Sequence, residues 1–166
     1  MKKLLIPVDG TAQSLEAVRN AVREGPSAIQ RVDLLNVQPL FNRHVSAWVG
    51  RSQRDAWRAE RAAAALAPAS KLLESLGIAF RTHVATGNIA QAIATTAREL
   101  RSDEIVMGSA RHSLWGRLLT NSASARLLEL SPVPVRIIPG APASRYERLA
   151  FPAGLGLIAL LFLADE

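Results

Sequence analysis

Apolar runs that alternate with segments of helical periodicity constrain this chain more than any other feature. The runs are Leu4 to Val8, Val32 to Val37 (closed by Pro39), Glu104 to Met107 and Val133 to Ile138, and Ile78 to Ala85 alternates like a strand. Short, nearly continuous apolar runs suit strands buried on both faces of a parallel sheet. Between them, Leu15, Val18 and Val22 recur at helical spacing, with Gly25-Pro26 as the stop. From about Arg51 to Leu76 the chain is rich in Ala, Arg, Glu and Leu and reads as a long helix ending at Gly77, with Pro68 expected to kink or split it. Thr86-Gly87-Asn88 turns, and Ile89, Ile93, Ala97 and Leu100 mark one face of a further helix. The order β-α-β-α-β-α-β-α-β predicts an α/β fold, an open doubly wound parallel sheet with helices on both faces. Ligands of such sheets sit beyond the strand carboxyl ends, where strand order reverses. Asp9, after the first strand, and Gly108, after the fourth, are the natural residues to line that crevice.

The stretch from Ile105 to Ile138 reads as a buried strand, a loop opened by Gly108, a helix entered through Asn121-Ser122, and a second buried strand. A strand that feeds a helix through small polar residues is suited to phosphate. Backbone N–H groups at the helix start point at the anion, and the helix dipole adds to the attraction.

Composition narrows the alternatives. A chain of 166 residues, 49% hydrophobic and 20% charged, suits one globular domain with a short appendage. There is no cysteine, which excludes a disulfide framework, a thiol nucleophile and a Cys-based metal site, and fits a reducing compartment. The net charge of +6 raises nucleic acid, anionic membrane or a phosphate ligand as partners. No long run of like charge and no aromatic–basic interleaving occurs, so most of this charge is assigned to solvated helix surface and no specific nucleic acid is expected. The N-terminal MKKLLIPVDG is brief in its apolar run, which stops at Asp9, and reads as a first strand rather than a signal peptide. His44, His83 and His112 are scattered, with no metal-ligand spacing. His83 is expected at the surface or an interface, and His112 falls in the candidate phosphate loop. No nucleophile elbow, Walker loop or metalloprotease motif is present, and no general base pairs with a nucleophile, so no catalytic residue and no metal ligand is assigned.

Four pieces of the chain, in order, resemble the universal stress protein family over about residues 1 to 139. IPVDGTAQSLEAV resembles the family's opening strand, its Asp and the following helix. GNIAQAI, Gly87 to Ile93, resembles its Gly-x-x-Ala-x-x-Ile helix entry. MGSAR…NSAS resembles its nucleotide motif: Gly, two residues, Gly, nine residues, then Gly-Ser or Gly-Thr. SPVPVRIIP is similar to its closing strand. The resemblance implies a five-stranded parallel sheet of order 3-2-1-4-5, a homodimer often formed through the last strand, and in some members ATP or another adenine nucleotide, with Mg accompanying it. It implies that Asp9 meets the adenine or ribose side of the ligand, that Pro7 and Val37 line the base pocket, and that Met107 and Gly108 pass under the ribose and phosphates. Ser122 and Ala123 would offer N–H groups, and Ser122 its hydroxyl, to the phosphates. Slow ATP hydrolysis or self-phosphorylation, on Ser122 or Ser124, is implied only in the same way.

The motif keeps its spacing but not its residue types. Arg111 and Asn121 stand where the family's binders have glycine. Asn tolerates the left-handed region and is a good helix cap, so Asn121 would keep the loop geometry at a cost of about 1 kcal/mol or less. A Cβ at position 111 would be strained by ~1–2 kcal/mol if positive φ is required. Arg111 either blocks the cradle or swings out and pairs with phosphate through its guanidinium fork. Trp115 and Gly116 alter the loop further. Asp9 itself has two readings, ligand acceptor or cap of the first helix.

The chain divides into a domain at residues 1–140, a linker at 141–149 and an apolar tail at 150–166. Pro134 cannot donate a ladder bond, so the last strand, Val133 to Ile138, is expected at a sheet edge, where pairing with a twin covers it. The tail AFPAGLGLIALLFLA spans ~22 Å as a straight helix, short of a ~30 Å hydrocarbon core. Docking on the domain or on a partner subunit is preferred over membrane contact or an accident of reading frame. The expected function is a cytoplasmic stress-response module with a degenerate adenine-nucleotide site. The alternatives are a structural or protein-interaction dimer whose site has decayed and, third, an ATP-using enzyme.

Overall fold

The computed structural model describes residues 1–23, 25–38, 50–109 and 123–139. The first strand, β1, is Lys2–Pro7, followed by helix α1, Ala12–Ala21. A 3₁₀ turn at Pro26–Ala28 leads into β2, Ile29–Gln38. Helix α2, Arg51–Ser75, precedes β3, Phe80–Thr86, and helix α3, Ile89–Glu99, precedes β4, Glu104–Ser109. Helix α4, Ala123–Leu130, leads to β5, Val135–Pro139. The five strands form one sheet of order β3-β2-β1-β4-β5, with every pairing parallel. This is the expected doubly wound architecture.

Successive side chains of a strand point to opposite faces, so the apolar runs build two core layers. Leu4, Ile6, Val32, Leu34 and Val106 face one side and pack with Val18 of α1 and Leu66 and Leu73 of α2. Leu5, Leu35, Val37, Ile105 and Met107 face the other and pack with Ile93 and Ala97 of α3 and Leu127 of α4. The local signals act as anticipated at two helix entries. Thr11 caps α1, its hydroxyl accepting from the Ser14 N–H at 3.3 Å, and Asn88 caps α3, its carbonyl accepting from the Gln91 N–H at 3.2 Å.

Two expectations change, and His83 gains a buried partner. Pro68 does not split α2, which runs unbroken through it. A proline removes its own N–H bond and crowds the carbonyl four residues earlier, but exposed Pro68 sits between Leu66 and Ala69, whose burial holds both halves against the sheet. The last strand begins at Val135 rather than Val133, because Ser131 and the residues after it form a bend closed by the Ser131 hydroxyl on the Val133 carbonyl at 2.6 Å. It does lie at the sheet edge. His83 is half-buried on β3, its Nε2 3.0 Å from Oδ1 of the fully buried Asp33, which also pairs with Arg31 Nη2 at 2.9 Å. The bonds to Arg31 and His83 offset the cost of burying this carboxylate.

Candidate functional site

The crevice of the sheet opens between β1 and β4, the central pair at which strand order reverses. β1 pairs with β2 along its whole length, from Lys2 to Pro7 opposite Leu35. Its register with β4 covers only Leu4 opposite Glu104 and Leu5 opposite Ile105. The two strands are therefore unpaired toward their carboxyl ends, where Asp9 and Gly108 stand.

Asp9 is held from several directions. The Val8 N–H donates to the Leu35 carbonyl at 2.8 Å. The buried Asn36 amide donates to the Val8 carbonyl at 2.7 Å, and the Gln38 amide donates to Asn36 Oδ1 at 2.6 Å. Oδ1 of Asp9 accepts from the Thr11 N–H at 3.0 Å and from its hydroxyl at 2.6 Å. Between them Gly10 takes φ +83°, and a Cβ there would lie 3.2 Å from the Ala65 backbone of α2. The geometry decides one question: Thr11, not Asp9, caps α1. The second carboxylate oxygen, Oδ2, is out of contact with solvent and has no hydrogen-bond partner among the described residues. A buried acceptor left in that state is costly unless a donor completes it.

Pro7, Val37 and Met107 are buried near the carboxyl ends of three adjacent strands. All three sit at odd positions of their strands, the face on which Val37 and Met107 join one apolar cluster. The structure thus brings Pro7, Val37 and Met107 to the same side of the sheet, next to the Asp9 turn. Ala123 is the first residue of α4. Arg111, Asn121 and Ser122 lie outside the described residues, as do His44, His112, the rest of the loop at 110–122, the linker at 141–149 and the tail at 150–166.

Gly108 has a reason of its own. It lies within β4, which runs through Ser109, and does not open a loop. A Cβ on it would lie 2.5 Å from the Gln13 carbonyl oxygen and 2.9 Å from its carbon. The first turn of α1 therefore packs backbone to backbone on β4, and this contact demands glycine whatever ligand is present.

Sequence reasoning missed Asn36 and Gln38, and left open which residue of Asp9-Gly10-Thr11 caps α1. Two amides inside an otherwise apolar run were the available signal for the first two. A shallow apolar pocket of about 100 Å³, lined by Val8, Gly10, Thr11, Leu15, Ala65 and Pro68, lies between α1 and α2. Among the described residues no group of His, Asp and Glu is arranged to hold a metal ion, and no helix is long and apolar enough to cross a membrane.

A family model described as the universal stress protein family matches residues 1–139. The chain belongs to this family. The universal stress protein MJ0531 of Methanocaldococcus jannaschii is 28% identical over 146 residues, covering 82% of this chain and 81% of that protein. A universal stress protein solved in complex with cAMP superposes with a TM-score of 0.62 at 19% identity, covering 82% of this chain and 96% of the other. A universal stress protein family protein from Arabidopsis thaliana with AMP bound gives 0.62 at 16% identity, covering 87% and 97%. At such identities the two structures share the fold of this universal stress protein.

Gly108→Ala is expected to destabilise the protein by about 1–3 kcal/mol, because α1 must shift off β4. Gly50→Ala, where a Cβ meets nothing within 4 Å, stays within about 0.5 kcal/mol. Urea unfolding measures both, and an unchanged midpoint for Gly108→Ala would show that the α1–β4 contact yields freely.

Proposed function

We propose that this universal stress protein is a cytoplasmic binding module that takes an adenine nucleotide in the crevice between β1 and β4. The observation that carries the proposal is the buried Oδ2 of Asp9, which has no hydrogen-bond partner among the described residues. A carboxylate oxygen in that state calls for a donor, and the adenine amine or a ribose hydroxyl supplies one. Pro7, Val37 and Met107 offer an apolar wall for the base beside it. The complexes of structural neighbours with AMP and cAMP are consistent with a ligand of this class.

At the phosphate end, the amides of Ser122 and Ala123 at the start of α4, and the Ser122 hydroxyl, would receive the anion, with Mg accompanying a triphosphate. Arg111 and Asn121 replace the glycines of a backbone cradle, so affinity depends on Arg111 more than on any other residue of the loop. No catalytic residue is assigned, and the chemistry required of the site is binding.

A second function, a structural dimer with a decayed site, draws on one specific observation: the α1 contact accounts for Gly108 without any ligand. In either case β5 presents a backbone edge unpaired among the described residues, and we infer that a second copy pairs there, with no specific nucleic acid as partner.

Calorimetry with AMP, ATP and cyclic AMP separates the two. Heat of binding is expected for the wild type, and Asp9→Ala should weaken it about tenfold or more, from loss of a charge-assisted hydrogen bond worth about 1.5–3 kcal/mol. A wild type that takes up none of the three leaves the structural dimer. Arg111→Gly binds more tightly if the arginine closes the cradle, and more weakly if it is a phosphate ligand. Light scattering at micromolar concentration should give twice the chain mass of 17.9 kDa; a monomer would contradict the edge pairing.

A further inference from the structure

The two amides on β2 have no counterpart in the apolar logic of the core. Asn36 and Gln38 occupy even positions of the strand, on the face where Val32 and Leu34 pack under α1 and α2. They are 3% and 6% exposed, close to fully buried. Burying an amide is unfavourable unless its hydrogen bonds are made, and a Val or Leu would fill such a position without that cost. The bonds that offset it point one way. Gln38 Nε2 donates to Asn36 Oδ1 at 2.6 Å, and Asn36 Nδ2 donates to the Val8 carbonyl at 2.7 Å.

Val8 is where the main chain most needs such a bond. β1 ends at Pro7, and only the Val8 N–H still reaches β2, donating to the Leu35 carbonyl. The Val8 carbonyl is taken by the Asn36 side chain, and the following residue is Asp9. The peptide unit on each side of Val8 is thus fixed, one by a backbone and one by a side-chain bond. The carboxylate that follows is fixed by Thr11. At the far end, the Gln38 carbonyl accepts from the Gly87 N–H at 3.0 Å, which ties the amide pair to the turn before α3.

We propose that Asn36 is a positioning residue for the Asp9 carboxylate and that Gln38 orients Asn36. The polar pair reaches across from β2 and fixes where the end of β1 sets down Asp9 Oδ2. The function of that position rests on the nucleotide site proposed above. The positioning itself does not require nucleotide, and it has a local reporter: the Thr11 N–H, bonded to Asp9 Oδ1, exchanges with solvent faster when the carboxylate is released.

Amide hydrogen exchange on the ligand-free full chain tests it, comparing wild type with Asn36→Leu, Asn36→Asp and Gln38→Ala. Leu has similar volume and no donor. Asp has the same shape but sets an oxygen against the Val8 carbonyl. Both Asn36 variants should speed exchange of the Thr11 amide about tenfold, with Leu4, Leu5 and Ile6 unchanged, and Gln38→Ala should give a smaller change at the same amide. A tenfold weakening of AMP binding should accompany the Asn36 variants, equivalent to about 1.4 kcal/mol. Exchange at Thr11 equal to wild type in Asn36→Leu overturns the proposal, and so does faster exchange spread evenly over β1 and β2, which would mark a purely structural amide. A wild type that takes up no AMP removes the nucleotide function, while the Thr11 amide still decides the positioning.

Discussion

The site depends on how β1 is shared between its neighbours. As the central strand it is paired with β2 up to Pro7, but with β4 only at Leu4 and Leu5. Consecutive crossovers leave β1 and β4 in opposite directions, the topology at which open parallel sheets form a crevice beyond the strand ends. That topological fact makes the crevice. What lines it then follows from where β1 stops and from how closely α1 can approach β4. Pro7 contributes to the stop, since it carries no N–H to extend the ladder. Gly108 sets the approach, since any side chain there would enter the Gln13 backbone.

Polar satisfaction explains the rest of the geometry. Beyond Pro7 the chain leaves the ladder, and its carbonyl and carboxylate groups must find partners within a packed surround. Asn36 takes the Val8 carbonyl and Thr11 takes one oxygen of Asp9. The other oxygen has no partner among the described residues. At Asp33 both carboxylate oxygens are paired, between Arg31 and His83. Asp9 is completed at one oxygen and incomplete at the other, as is Glu104, but Glu104 Oε2 has the Lys2 ammonium 3.6 Å away.

Much of this was legible in the sequence because the signals are local. Continuous apolar runs, a Gly after the long helix, Asn88 before α3 and the Asp9-Gly10-Thr11 turn each act within a few residues, and together they yield strand order class and the position of the crevice. The boundaries moved where polar residues belong to strands. Ile29, Gln30 and Arg31 extend β2 at its start because Lys2 and Lys3 of β1 pair with Ile29 and Arg31, a partner the sequence does not display. Pro68 misleads for a similar reason, since the burial of Leu66 and Ala69 against the sheet outweighs one missing N–H. Least legible were Gly108 and Asn36. Each answers to a residue far along the chain, Gln13 in one case and Val8 in the other, and neither contact leaves a pattern in the neighbouring letters. Gly108 invited a phosphate-loop interpretation, whereas packing alone requires it.

The central claim is that the end of β1 holds a preformed half-site for an adenine nucleotide. A nuclear magnetic resonance titration of the full chain with AMP, following backbone amides, addresses it most directly. Saturable shifts are expected, concentrated at Asp9, Thr11, Val37 and Gly108. An unchanged spectrum at saturating AMP would contradict it, as would shifts confined to Leu15 and Ala65 around the pocket between α1 and α2.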